Sequence, residues 1–311
     1  MKHKQKSAAA YRRLALSPNT ISCYASDVRR YRASGGKIPS TPRALANYLA
    51  RQAARLRPST LMRRLAAISY EHTRRGLRSP TRALVVQQTL RGIRRAAGAR
   101  ASRQAKPLSI DVLQKLVRTV AGYSRVRNCR DKALLLLGFA GGFRRSELAN
   151  LRLADVFFTR RGLLVRLRTS KTDPYSQGRD VAIPYAKSQR LCPVRAVRNW
   201  IAAYKHALTP TQAKSGQTPL FARIDRYGHV HCGLSGASIG TLLKQRLTTA
   251  GVDPTGYSAH SLRSGLVTAA ARAGVPAWAI QRQTGHKSYS SVHRYIRNVP
   301  VFELNAVRVL L

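Results

Sequence analysis

The first hundred residues carry apolar side chains at helical spacing. Ile21, Tyr24, Val28 and Tyr31 recur every three or four positions, which places them on one face of a helix. Three further stripes follow, and the four predicted helix starts are Ser17-Pro18, Thr41-Pro42, Ser59-Thr60 and Ser79-Pro80. A small polar cap followed by proline is typical of a helix N-terminus. The pattern therefore predicts a helical N-terminal segment.

The pattern changes after residue 96. Residues 97–107 are small, basic and without period, which is typical of an interdomain linker. Beyond it, Ser109 is the predicted cap of a helix, and residues 130–139 form a predicted buried helix. Short strands are predicted at 156–158, 163–167 and 181–183, and helices are predicted from Pro193 to the end. We expect a mostly α fold with a small antiparallel β-sheet, in two domains, 1–104 and 105–311.

The net charge of the chain limits the classes of partner that it can bind. The 57 Lys and Arg against 11 Asp and Glu give a formal net charge of +46. A folded chain this basic needs a polyanion. Nucleic acid is favoured over an anionic membrane because arginine is spread along the whole chain rather than confined to a tail or one helix. A packaging protein that only neutralises phosphate stays open on composition alone.

The N-terminal helices carry much of this charge on their polar faces. Nine arginines occupy these faces: Arg29, Arg30, Arg63, Arg64, Arg74, Arg75, Arg91, Arg94 and Arg95. With so few acids to pair them, phosphate contact is favoured over a merely solvated face.

The spacing of the cysteines and the hydropathy of the chain indicate the cellular compartment in which the protein acts. The cysteines at 23, 129, 192 and 232 are far apart, which fits a reducing cytosol better than a disulfide scaffold. The sequence has no run of about 18 apolar residues and no apolar signal core after its basic N-terminus. We expect a cytoplasmic, DNA-associated protein without a membrane partner.

Acidic residues are too scattered to suggest a metal site. They form no D-x-D or D-x-x-E pair of the kind that holds Mg²⁺ in metal-dependent nucleases. Residues 228–232, which include His229 and His231, are interpreted as a loop because no second ligand pair is nearby. We expect neither a metal nor a small-molecule cofactor, so the chain's own cations must stabilise phosphate charge.

Several segments supply such cations beside a nucleophile. Residues 142–148 read Gly-Phe-Arg-Arg-Ser-Glu-Leu, and Lys171 lies in a polar turn between two predicted strands. His260 and Arg263 are spaced to share a helix face, and Tyr295 follows His286 by nine residues. The candidate site residues are Arg144, Lys171, His260, Arg263, His286 and Tyr295.

In this order the segments resemble the tyrosine recombinase (phage integrase) family. The family has a G-x-R-x-S-E-L-like box, which residues 142–148 match, and a lysine in a hairpin, which Lys171 matches. It also has an H-x-x-R box, matched by His260 and Arg263, and a G-H box followed by a tyrosine, matched by Gly285-His286 and Tyr295. The resemblance covers about residue 105 to the end. The N-terminal helices are less distinctively similar to the family's core-binding (SAM-like) domain.

The resemblance implies a site-specific recombinase that cleaves and rejoins duplex DNA. Tyr295 would form a covalent 3′-phosphotyrosine, and strands would exchange through a Holliday junction without metal or nucleotide. Arg144 and Arg263 would grip the phosphate, and Lys171 would protonate the leaving hydroxyl. His260 would act as base or phosphate ligand, and His286 would bind the phosphate or hold the site together. Glu147 would orient the basic residues.

Alternatives remain open at this stage. A type IB topoisomerase shares the chemistry, a non-catalytic basic DNA-binding protein needs no Tyr295, and an accessory descendant binds without cutting. Tyr289 is a rival nucleophile that lacks the family spacing. Arg145, Ser264 and Thr284 depart from the family's usual residues, Thr284 replacing a leucine. The apolar tail 299–311 either packs on its own domain or docks on a neighbour in a homotetramer on DNA.

Overall fold

The computed structural model describes residues 7, 11, 15–98, 105–120, 124–168, 178–211, 215–225 and 227–296. The chain divides into two compact units, Met1–Ser102 and Arg103–Leu311. Lys171 and the tail 299–311 lie outside the described residues.

The first unit is helical. Its helices are α1 (Pro18–Ala33), α2 (Pro42–Ala53), α3 (Pro58–Arg74) and α4 (Leu84–Ala96). The side chains of Ser17 and Thr41 accept hydrogen bonds from the backbone N–H groups of Thr20 and Ala44, which confirms these two predicted caps.

Two predicted helix starts are wrong. The third helix begins at Pro58 after Arg57, because proline's fixed φ suits the first helical position. Ser79 caps a short 3-10 turn, Pro80–Arg82, instead of an α-helix. Ala83 then adopts ψ 142°, which is outside the helical region, so α4 begins only at Leu84.

The core of the first unit contains most of the predicted apolar residues, although Ile21 of the first stripe is 40% exposed. Tyr31 and Tyr48 pack edge to face with ring centroids 4.8 Å apart. The other buried side chains of this cluster are Leu45, Ala46, Leu49, Leu61, Leu65, Ile68, Val86 and Leu90.

Some of the polar-face arginines serve this unit itself. Asp27 is fully buried and accepts hydrogen bonds from Nε and Nη2 of Arg63 at 2.7 and 3.1 Å. Glu71 accepts from both Arg74 and Arg75. Arg63, Arg74 and Arg75 nevertheless remain exposed, as do Arg29, Arg30, Arg91, Arg94 and Arg95. Arg64 is buried and donates to the hydroxyl of Tyr48 at 2.6 Å, so the expectation of phosphate contact is corrected for Arg64.

The second unit begins with helices around a leucine-rich core. They are α5 (Ile110–Arg118), α6 (Arg125–Gly141) and α7 (Arg145–Asn150). Ser109 caps α5 as predicted. Helix α6 extends beyond the predicted 130–139 because Ser124 caps it further upstream. Its run Ala133–Leu137 is wholly buried, so this helix is the centre of the unit.

A three-stranded antiparallel sheet follows. Strands β1 (Val156–Thr159), β2 (Gly162–Leu167) and β3 (Arg179–Pro184) pair in the order β1-β2-β3. Val165 of β2 lies opposite both Val156 and Val181. The predicted strands and the mostly α fold with antiparallel pairing are confirmed.

Helix α8 (Pro193–His206) is followed by a hairpin that the sequence interpretation missed. Strands β4 (Ala222–Ile224) and β5 (Val230–Gly233) pair antiparallel, so the expectation of helices only after Pro193 is wrong. Residues 230–232, interpreted as loop, belong to β5. Asp225 at the turn accepts from the backbone N–H of His229 at 3.0 Å, which satisfies the turn locally.

The remaining helices carry most of the site. They are α9 (Gly236–Thr249), α10 (His260–Arg272), α11 (Ala277–Thr284) and α12 (Tyr289–Ile296). None of the helices in the described part of the chain has the length and apolar character needed to cross a membrane.

Candidate active site

Tyr295 lies beside two histidines. Its phenol oxygen is 2.6 Å from Nε2 of His260. The ring centroids of His260 and His286 lie 6.0 and 5.8 Å from that of Tyr295. Tyr295 is held on α12 by packing against a small apolar cluster that includes Val292 and Ile280. A phenol in hydrogen-bond contact with an imidazole is the arrangement that proton transfer between them requires.

His260 and Arg263 are oriented by the start of α10. The hydroxyl of Ser258 accepts the backbone N–H of His260, and the hydroxyl of Ser261 accepts that of Ser258. Helical spacing then brings Arg263, one turn further, beneath His260. Arg263 is 1% exposed, which is rare for a guanidinium unless it is paired.

Arg144 is fixed where α7 begins. The Glu147 carboxylate accepts hydrogen bonds from both the backbone N–H and the guanidinium Nη1 of Arg144. Glu147 is only 4% exposed, so it provides negative charge within a cluster of cations. The orienting role expected for Glu147 matches these contacts. Arg145, by contrast, is exposed.

The C-terminal end of α11 gathers three arginines. Arg263 Nη1 donates to the carbonyl of Thr284 at 2.7 Å, and Arg144 Nη2 donates to that of Gly285 at 3.1 Å. Arg179 donates from Nη1 and Nη2 to the carbonyls of Gln283 and Thr284 at 2.9 and 3.2 Å. Carbonyls at a helix C-terminus carry partial negative charge, so they attract these cations.

Arg179 is a site residue that sequence reasoning missed. It opens β3 on the same face as the buried Val181 and Ile183, and its Nη2 lies 3.8 Å from Oε2 of Glu147. The available signal was an arginine on the buried face of an alternating strand. Gly285 has φ +66°, which strains any other residue, and a Cβ there would lie 2.7 Å from Nε of Arg179 and displace its guanidinium, so glycine is favoured.

Burial changes the electrostatics of these arginines. Desolvation, followed by the positive charge of Arg144, lowers the pKa of Arg263 to about 10. Desolvation also lowers the pKa of Arg179. Both groups remain cations near neutral pH. Nη2 of Arg263 is buried and has no hydrogen-bond partner among the described residues, so it is a donor available to an anion.

The pKa of His260 is also lowered. Partial desolvation is the first cause, although the residue keeps part of its surface in solvent, and the positive charges of Arg263 and Arg144 add to it. The ring is therefore neutral near pH 7 and able to accept a proton.

The structure thus brings together five of the six predicted site residues, namely Arg144, His260, Arg263, His286 and Tyr295. Lys171, the sixth, lies outside the described residues. Tyr289, the rival nucleophile, is 57% exposed and contacts the ring of His293. Among the described residues no group of three or more His, Cys, Asp or Glu side chains is arranged to hold a metal ion.

Comparison with known proteins identifies the family. The model of the phage integrase family matches residues 106–300, well over half of the chain. The chain belongs to the phage integrase family. This integrase-family protein is a site-specific tyrosine recombinase and, by family, an enzyme of DNA strand cleavage and exchange.

A curated relative extends the match to the whole chain. The integrase/recombinase xerD homolog of Selenomonas ruminantium is 33% identical over 317 residues, covering 98% of this chain and 89% of that protein. This match includes the N-terminal helices that the family model leaves out.

Solved structures share the fold of this integrase-family protein. The Tn1549 transposon integrase in complex with transposon right end DNA has a TM-score of 0.66 at 16% identity, covering 96% of this chain and 95% of that one. The XerH site-specific recombinase bound to palindromic difH substrate has a TM-score of 0.65 at 17% identity, covering 94% and 78%.

Proposed function

We propose that this recombinase cleaves duplex DNA by attack of Tyr295 on a scissile phosphate. The observation that carries the assignment is the 2.6 Å contact between the Tyr295 phenol and Nε2 of His260, beside Arg263 and Arg144. A phenol near a neutral imidazole and two guanidinium groups matches what phosphoryl transfer from DNA needs: a nucleophile, a base and fixed positive charge.

The step balances without a co-reactant. The Tyr295 oxygen forms a bond to phosphorus, the bond from phosphorus to the 5′-oxygen breaks, and His260 takes the phenol proton. The 5′-oxygen leaves as a hydroxyl after receiving a proton, a role we assign to Lys171 on the family resemblance. The phosphotyrosine keeps the energy of the broken bond, so a DNA hydroxyl can reverse the step and reseal the strand.

The arginines stabilise the charge that develops on the non-bridging oxygens. Nη2 of Arg263 is the buried donor available for this purpose, and Arg144 adds a guanidinium fixed by Glu147. Removing one donor from such a site costs about 10²–10³ in rate. We assign His286 to the phosphate as a further hydrogen-bonding group, since its ring lies 5.8 Å from that of Tyr295.

The partner we propose is a duplex recombination site. The +46 charge and the DNA complexes formed by the Tn1549 integrase and XerH support it. We assign DNA binding without chemistry to residues 1–104, through exposed arginines such as Arg91, Arg94 and Arg95, and strand cleavage to residues 105–311. We further propose that the tail 299–311 docks on a neighbouring subunit in a homotetramer on DNA, and that the protein acts in the cytoplasm at DNA.

Trapping the covalent intermediate tests the nucleophile. The preferred site is first selected from random-sequence duplexes, and a nicked suicide substrate built on it is incubated with the protein. We expect a covalent adduct, and we expect its peptide to carry a 3′-phosphate on Tyr295. Tyr295→Phe is expected to bind the duplex but form no adduct.

Tyr289→Phe is the matched control, because it removes the same hydroxyl from an exposed tyrosine six positions away. It is expected to form the adduct. An adduct that survives Tyr295→Phe, or one that maps to another residue, would refute the assignment.

A further inference from the structure

Thr284 occupies the position where the family usually has leucine, directly before Gly285-His286. Its side chain is fully buried. Its hydroxyl oxygen lies 2.6 Å from the carbonyl oxygen of Ile280 and 2.7 Å from Nδ1 of His286. Both contacts are within hydrogen-bond range, so this hydroxyl links helix α11 to the imidazole that follows it.

The two contacts fix the direction of each hydrogen bond. A threonine hydroxyl has one proton, and the carbonyl of Ile280 can only accept, so the hydroxyl donates there. Toward His286 the hydroxyl oxygen can then only accept. Nδ1 of His286 must therefore carry the proton that completes the contact.

The backbone around His286 is held independently. The side-chain amide of Gln281 donates to the carbonyl of His286 at 2.9 Å. Arg144 holds the carbonyl of Gly285, the preceding residue. The ring therefore has little freedom to leave the Thr284 hydroxyl by a shift of its own backbone.

We propose that Thr284 is a positioning residue that holds His286 in the tautomer with its proton on Nδ1. In that tautomer Nε2 of the neutral ring is an acceptor, and it donates to a phosphate oxygen only when the ring is doubly protonated. The competing arrangement, in which the hydroxyl turns to donate to Nδ1, loses the bond to Ile280. It is therefore about tenfold less populated.

This inference rests on the proposed contact between His286 and the scissile phosphate, and it adds a consequence. A neutral imidazole in the favoured tautomer cannot donate from Nε2, whereas the doubly protonated ring and the minor tautomer can. The cleavage rate is therefore expected to fall by about tenfold in total on the alkaline side and then level off, where the minor tautomer supports the reaction.

The experiment measures the tautomer and the rate separately. Two-bond proton–nitrogen correlation spectra of the ¹⁵N-histidine-labelled full chain report which imidazole nitrogen carries the proton, and His286→Gln identifies the resonance among the eight histidines. The spectra are recorded for wild type, Thr284→Ser and Thr284→Val, without DNA. Single-turnover cleavage of the suicide substrate is followed across pH for the same three proteins.

We expect the proton on Nδ1 in wild type and in Thr284→Ser. Thr284→Val keeps the shape but offers Nδ1 no acceptor, so the proton moves to Nε2 and the alkaline decline shrinks to less than about twofold. Thr268→Val is the matched control. Thr268 is also buried, but its hydroxyl has no hydrogen-bond partner among the described residues, so its loss leaves both readouts at wild-type values.

A wild-type ring protonated on Nε2, or one unchanged in Thr284→Val, overturns the inference. If Thr284→Val does not fold, the wild-type and Thr284→Ser spectra still decide it, since both must show Nδ1–H. If the spectra show the expected tautomers but the three proteins have identical pH profiles of cleavage, only the proposed contact of His286 with the phosphate is overturned, because the spectra are recorded without DNA.

Discussion

Glu147→Gln is expected to destabilise the protein because it leaves buried cations without their carboxylate. Glu147 accepts from the guanidinium of Arg144 and lies 3.8 Å from Arg179, and the side chains of these arginines are only 17% and 22% exposed. Glutamine has nearly the same shape and can still accept the backbone N–H of Arg144. The substitution therefore keeps the shape but removes the negative charge and the acceptor that faces the guanidinium of Arg144.

The magnitude follows from the two arginines. A hydrogen bond to a charged group contributes about 2 kcal/mol. Loss of attraction to the second, partly buried arginine adds about 1 kcal/mol. We therefore expect the free energy of unfolding to fall by about 3 kcal/mol, measured by urea unfolding of the full chain followed by circular dichroism.

Two comparisons make this test specific. Asp180→Asn also removes a carboxylate, but its pair with Arg166 is exposed and screened, so the urea midpoint is expected to stay unchanged. Sulfate is expected to stabilise Glu147→Gln more than wild type, because an anion can occupy the uncompensated site. The reasoning fails if the two substitutions have equal effects, or if sulfate does not distinguish the variant from wild type.

Three further outcomes are expected. Arg179→Gln is expected to slow adduct formation by about tenfold at unchanged DNA affinity, because the carbonyls beside His286 lose the guanidinium that holds them. If Arg179→Lys formed the adduct at the wild-type rate, the two hydrogen bonds donated by the guanidinium would not be needed. The second-order rate constant for cleavage is expected to fall on the acid side only below pH 6.5, because the lowered pKa of His260 keeps its imidazole neutral and able to accept a proton down to that pH. A rate constant that already falls above the ordinary histidine pKa would argue against His260 as the base. Removal of residues 299–311 should leave adduct formation on a single half-site intact but prevent assembly of four subunits on paired sites, as seen by mass photometry; tetramers that persist would exclude the tail as the contact.

Local chemistry along the chain was enough to predict much of the secondary structure. Ser17, Thr41 and Ser109 cap helices as expected, because a side-chain oxygen satisfies an N–H group only a few residues away. Strands β2 and β3 were predicted from short apolar runs, which are also a local property of the chain. The hairpin of β4 and β5 was missed because its strands have only three and four residues and their pairing depends on the surrounding core.

The sequence by itself determined which chemical groups this recombinase has and their order along the chain: the caps, the Gly-Phe-Arg-Arg-Ser-Glu-Leu box, the His260–Arg263 pair and Tyr295 after His286. Only the tertiary structure decided their convergence, since the bonds that join Arg144 to Gly285 and Arg263 to Gly142 span 141 and 121 residues. The tertiary structure also places Arg179 at the site and brings the hydroxyl of Thr284 into contact with His286. The physical reason is that capping and periodicity act over a few residues, whereas burial of a guanidinium against distant carbonyls depends on the packing of the whole unit.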